Sequence, residues 1–91
     1  MKVKKVTVDG ESKIEFDTFA NNWLVKNLSE NDLLVSFEEG CPAGETITIQ
    51  PGMGQVVTEN TYLGGLECYS HNAIYLKGNG EVEVQQLCFK P

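Results

Sequence analysis

Cys68 and His71 form a Cys-x-x-His pair, and His71 is the only histidine in the chain. With Cys41 and Cys88 they supply three thiols and one imidazole, the donor count of a tetrahedral zinc site. The spacing lacks the paired knuckles that mark such sites, so core thiols and a turn histidine are the better reading, and no metal ligand is assigned. Cys68 as nucleophile with His71 as base needs a bend to bring the two together, and no carboxylate is spaced to orient the imidazole. Glu30 with Asp32, and Glu38 with Glu39, offer oxygen ligands in loops. The alternating Asp pattern of a calcium loop is absent, and a solvated acidic rim accounts for them. Trp23, Tyr62, Tyr69 and Tyr75 could stack on sugar rings, but Trp23 alternates with Val25 as a core residue would. Pro51, Gly52, Met53 and Gly54 lack the lysine and the following helix of a phosphate loop. No catalytic residue and no cofactor is assigned, and the chain is not read as an enzyme.

The elements that would have to position any site are strands. Trp23 and Val25 share one side of an extended segment, Leu33, Val35 and Phe37 one side of the next, and Ile47 and Ile49 one side of a third. Residues 3–8 open the chain with Val6 and Val8 on one face and lysines on the other. Asp9 and Gly10 tolerate positive φ and predict a tight hairpin turn, with residues 13–16 returning so that Ile14 and Phe16 face inward. Residues 17–28 are ambiguous: a short helix is compatible with Phe19, Ala20, Trp23, Leu24 and Leu28, and a strand over 23–28 fits the flanking turn chemistry. Residues 33–37, 45–50, 55–59, 62–70 and 73–77 read as further strands. Gly64 and Gly65 mark a bulge, and His71 with Asn72 a turn. Gly78, Asn79 and Gly80 predict a second hairpin turn, and residues 81–89 a closing strand. There a bulge at Gln85 and Gln86 would bring Leu87 and Phe89 into phase with Val82 and Val84. Together these predict a single domain over residues 1–91, an all-β antiparallel sandwich, jelly-roll-like or Greek-key, of about eight or nine short strands.

Composition narrows the partners. The 91 residues carry 13 acidic and 7 basic side chains, a formal charge of -6. Nucleic-acid binding needs clustered Lys and Arg, and the only cluster here is Lys2, Lys4 and Lys5, placed to solvate a strand edge. No run approaches the length needed to span a bilayer, and the opening residues lack the apolar core of a signal peptide. Three cysteines in a chain without export signals are expected to be reduced. Leu24, Leu34, Val57 and Tyr75 fall on what should be the solvent face, and a second apolar face on central strands marks them as candidate interface residues.

Three stretches carry a resemblance: residues 23–37 (WLVKNLSENDLLVSF), residues 47–52 (ITIQPG) and residues 74–85 (IYLKGNGEVEVQ). In wording they resemble small β-sandwich virion proteins of tailed bacteriophages and prophages, of the head-fibre, decoration or tail-associated kind. The resemblance covers about half of the chain and transfers no site residue. It implies a non-enzymatic structural protein, made in the bacterial cytoplasm, that assembles with itself and with other virion proteins. The alternative is a small β-sandwich module that binds a carbohydrate or another small molecule.

Overall fold

The computed structural model describes residues 2–58, 60–62, 66–68 and 70–90, with side chains for 2–58 and 70–87. Every regular element in it is a strand: β1 Lys2–Asn27, β2 Leu33–Ser36, β3 Thr46–Ile49, β4 Gly54–Thr58, β5 Asn60–Tyr62, β6 Leu66–Cys68 and β7 His71–Lys90. Five form one antiparallel sheet in the order β3-β2-β7-β1-β4, and β5 pairs with β6 in a separate two-stranded ladder. The predicted all-β antiparallel class is what the chain adopts. The main sheet, however, has five strands, fewer and longer than the sequence predicts. Residues 17–28 are strand as far as Asn27, not helix. Among the described residues no helix is long and apolar enough to cross a membrane.

The difference lies in two expected hairpins that do not form. Residues 2–15 pair with residues 73–86 in one unbroken register, in which Asp9 faces Asn79 and Gly10 faces Gly78. The two predicted turns are therefore opposite each other in the middle of one ladder. Glycine was needed there for a reason sequence shares between turns and bends: Gly10 has φ +84° and Gly80 φ +130°. A straight strand of β1's length would reach roughly 85 Å at about 3.3 Å per residue. The longest dimension of the molecule is 41 Å, so β1 and β7 must curl.

Curling nearly closes the sheet into a barrel. Ala20 pairs with both His71 and Phe89, close to the two ends of β7. Residues 82–86 of β7 are flanked by residues 2–6 on one edge and 23–27 on the other, whereas residues 75–77 are flanked by 11–13 and by 34–36. The inner face switches from even to odd positions along β1 between Ala20 and Trp23, where the register shifts. On β7 the shift leaves Leu87 as the extra residue. Val82, Val84 and Gln86 stay inward, and Leu87 is exposed, so the bulge does not turn Leu87 into the core as expected. Phe89's side chain and the bulge expected at Gly64 and Gly65 lie outside the described residues. His71 and Asn72 belong to β7 itself and make no turn.

One core fills the curl. Trp23 is fully buried at its centre, edge-on to Phe16 at 5.3 Å between ring centroids and to Phe37 at 6.1 Å. Its indole N–H donates to the Ala20 carbonyl at 3.1 Å, which satisfies the one polar group the ring brings inside. Val25, Leu33, Val35, Ile49, Ile74, Leu76, Val82 and Val84 surround it. Gln86 is the polar exception. Its amide donates to the Thr18 carbonyl at 2.8 Å and accepts from the Thr18 hydroxyl, pinning the β1 bend to β7.

Candidate contact surface

The sequence-selected chemistry is dispersed by the fold. Cys41 sits at φ +49° in the corner after β2, with its thiol against the Tyr75 carbonyl at 3.7 Å. Burial pushes the Cys41 thiol above its ordinary value, opposed by nearby Lys77, so the thiol stays protonated and is a poor nucleophile. His71 stacks face to face on Phe37, with centroids 4.2 Å apart. The side chains of Cys68 and Cys88 lie outside the described residues, and among those described no three His, Cys, Asp or Glu groups gather. Trp23 cannot present a sugar platform because it is the centre of the core. The other two tyrosines, Tyr62 and Tyr69, lie outside the described side chains.

The four candidate interface residues separate. Val57 is only 8% exposed and belongs to the core, facing Trp23 across the β1–β4 ladder. Its neighbour Val56 holds the outer position and is 54% exposed. Either parity of two adjacent valines satisfies alternation, and only the register with β1 selects one. Tyr75 is half-buried and lines a small cleft together with Glu39, Gly40 and Cys41 of the chain's own corner, and Lys13 lies 6.0 Å from its ring. Leu34 faces Lys77 and Thr48. Leu24 faces Gln85 and Val56. Leu24 and Leu34 are thus opposite β7 residues eight positions apart, at different ends of a bent strand, and do not form one patch.

A different patch forms around Leu24. Val3 pairs with Gln85, Gln85 with Leu24, and Leu24 with Val56, so these four outward residues make one row across four neighbouring segments. At about 4.8 Å between strands the row is roughly 14 Å long. Val3 is 46% exposed, and Leu87, two residues beyond Val3's partner Gln85 on β7, is 38% exposed. The sequence gives little warning of Val3 and Leu87: one lies among lysines, the other in a strand expected to bury it.

The next row along the same face is charged. Lys5 pairs with Glu83, Glu83 with Lys26, and Lys26 with Gly54. Glu83 contacts Lys26 at 3.4 Å and Lys5 at 3.9 Å, and its side chain is 14% exposed. The Gln85 amide, donating at 2.7 Å, holds the Glu83 carboxyl below the usual carboxylate range; Lys26 and Lys5 add to this and burial opposes it. A carboxylate with a lowered native value contributes stability above its unfolded value and loses it as pH falls through the native one. Glu83→Gln is therefore expected to flatten the fall in melting temperature between about pH 5 and pH 3. Thermal melts across that range check it, and an unchanged acid limb would mean that Glu83 is not held by these partners.

At the opposite edge a cleft of about 640 Å³ opens between residues 2–4 and 15–17. Lys2 pairs with Asp17 at 2.6 Å, and Lys4 donates to the Glu15 carbonyl with its ammonium 5.0 Å from the Phe16 ring. Lys4 thus leans over the inner side, contrary to the expectation that the lysines share the outer face. Within the cleft Lys2 and Asp17 neutralise each other, whereas the Lys4 ammonium meets a backbone carbonyl and a ring face. Comparison with protein families, curated proteins and solved structures finds no match.

Proposed function

We propose that this chain is a non-enzymatic structural protein that works through protein–protein contact, as a homo-oligomer and as a component of a phage or prophage particle. The observation that carries the contact reading is the outward row of Val3, Gln85, Leu24 and Val56, bordered by Leu87 and backed by the paired charges of Lys5, Glu83 and Lys26. Val3, Leu24 and Val56 flank the largely covered Gln85 and are bordered by paired charges, and apolar side chains beside a polar rim are the anatomy of a protein interface. The virion assignment rests on the sequence resemblance alone. The same reading takes the fold as a jelly-roll-like sandwich in which each half of a bent strand counts separately. Residues 2–6, 82–86, 23–27 and 54–58 then make one layer, and residues 11–15, 73–77, 33–36 and 46–49 the other.

Absolute mass in solution, by light scattering at two concentrations with and without reductant, tests the reading. A mass of two or more chains, indifferent to reductant, is expected. Leu24→Lys should lower the mass of any assembly larger than a dimer while leaving the melting temperature within about 3 °C of wild type, since a partly exposed strand position tolerates a lysine stem. A monomer at both concentrations overturns the reading and redirects the search to small-molecule ligands.

A further inference from the structure

The outer row ends on β4, and β4 is an edge. It pairs with β1 and, among the described residues, with no second strand. Its five residues, Gly54, Gln55, Val56, Val57 and Thr58, carry no charge and no proline, the two usual guards of an exposed edge. The other free edge, β3, is four residues long, follows Glu45 and stops before Pro51, and Thr46 at its start is tied to the Pro42 carbonyl at 2.7 Å.

The direction of the β4 backbone groups follows from the ladder. Asn27 N–H donates to the Met53 carbonyl at 2.8 Å, while Leu28 N–H donates the other way, to Glu81 on β7, at 3.0 Å. Odd residues of this part of β1 therefore bond toward β4, and their partners are Gln55 and Val57. By alternation Gly54, Val56 and Thr58 aim their N–H and C=O groups away from β1, into the free edge.

We propose that a second copy of this chain pairs antiparallel along β4, about a two-fold axis at Val56. This rests on the self-association reading above and names its geometry. Val56 then faces the partner's Val56 and exchanges both backbone bonds with it, and Gly54 does the same with the partner's Thr58. Such a contact is isologous and closes on itself. The occupant is a second copy because the edge is neutral throughout, so two copies of it meet without like charges facing each other. The outer row also becomes continuous, since the two Val56 side chains stand side by side at the axis and join both copies' Leu24 residues into one stripe.

The test is a charge exchange at position 56. Val56→Lys and Val56→Asp each place like charges opposite each other at the axis, and each variant alone is expected at half the wild-type mass. Mixed in equal amounts they should return to the dimer, which requires position 56 to face position 56. Val56→Pro removes an N–H that β1 does not use, and it too should halve the mass, while Val56→Thr, which keeps that N–H, should hold the dimer. Leu24→Lys leaves the β4 backbone intact and should still give a dimer. If Val56→Pro keeps the fold by circular dichroism and the wild-type mass, or if the Lys and Asp variants fail to recombine, the edge pairing is wrong. In that event an assembly that Leu24→Lys reduces would leave the contact-face reading standing. A monomeric wild type would remove both.

Discussion

Gly80→Ala is expected to lower stability by about 3 kcal/mol or more, enough to reduce the melting temperature by roughly 10–20 °C in a domain of this size. A Cβ built at Gly80 lies 2.3 Å from the Ser29 Cβ and 3.2 Å from the Ser29 Cα, so the collision is with the base of a side chain and its backbone. The φ of +130° adds strain for any residue that carries a Cβ. Neither contact can relax cheaply, because residues 28–32 are held on both sides. Gly78 packs against the Asp32 carbonyl and Leu33, and the Asn31 amide donates to the Asn79 carbonyl at 3.2 Å. The absence of side chains at Gly78 and Gly80 is what lets this loop cross the bend of β7, where its neighbours change from β1 to β2. Gly10→Ala supplies the comparison. That site also has positive φ, but an added Cβ meets nothing within 4 Å, so only the backbone cost of about 1 kcal/mol is expected. Urea or thermal unfolding of both variants checks the pair. Equal losses would mean that the loop does not rest on Gly80.

Asn27→Ala is expected to cost about 3–4 kcal/mol, the second large effect, through loss of hydrogen bonds rather than volume. Asn27 is fully buried, and all of its side-chain capacity is used. Its amide donates to the Asn31 carbonyl at 2.7 Å and the Ile49 carbonyl at 2.9 Å, and its oxygen accepts from the Ser29 N–H at 3.0 Å and hydroxyl at 2.6 Å. Alanine would remove all four bonds at once and take the side-chain partner from the buried Ile49 carbonyl, and a buried acceptor left short costs more than its bond contributes. The backbone of the same residue bonds Met53 and Gly52, so Asn27 joins the loop after β1, the end of β3 and the start of β4. Loosening it should also blur the β4 edge. Asn27→Ala is thus expected to weaken self-association along with stability, whereas Glu83→Gln should leave association at neutral pH unchanged. Asn27→Asp separates charge from shape. It keeps an oxygen for Ser29 but sets a carboxylate against two carbonyls, so its deficit should exceed that of alanine at neutral pH. It should shrink as pH falls and the group protonates. Chemical denaturation at pH 7 and at about pH 4 measures both parts.

Period-two patterning, read locally, identified extended segments and most of the inner face, but not how the segments join into strands. Val8, Ile14, Phe16, Trp23, Val25, Leu33, Val35 and Ile49 are buried as their alternation predicts. Two kinds of statement were beyond such local reading. Glycine-bearing stretches at Asp9 and Gly10 and at Gly78, Asn79 and Gly80 have the composition of hairpin turns, yet they bend one long ladder, because a tight turn and a barrel corner ask for the same positive φ. Adjacent valines at 56 and 57 can each be the inner one, and Val57 became so through its pairing with Trp23. The contact row was illegible for a related reason. Val3, Leu24, Val56 and Gln85 come from four separate stretches, and nothing short of the register places them side by side.

The sequence by itself therefore determined an all-β antiparallel chain and most of its core residues, since both follow from residue types and near-neighbour spacing. Only the tertiary structure decided that two long strands curl and share their neighbours, that Tyr75 lies beside the chain's own corner, and that Val3, Leu24 and Val56 fall in one row ending on β4. Pairing across the sheet joins residues as far apart as Lys2 and Gln86, and the energy that selects one register belongs to the packed core as a whole, not to any single stretch.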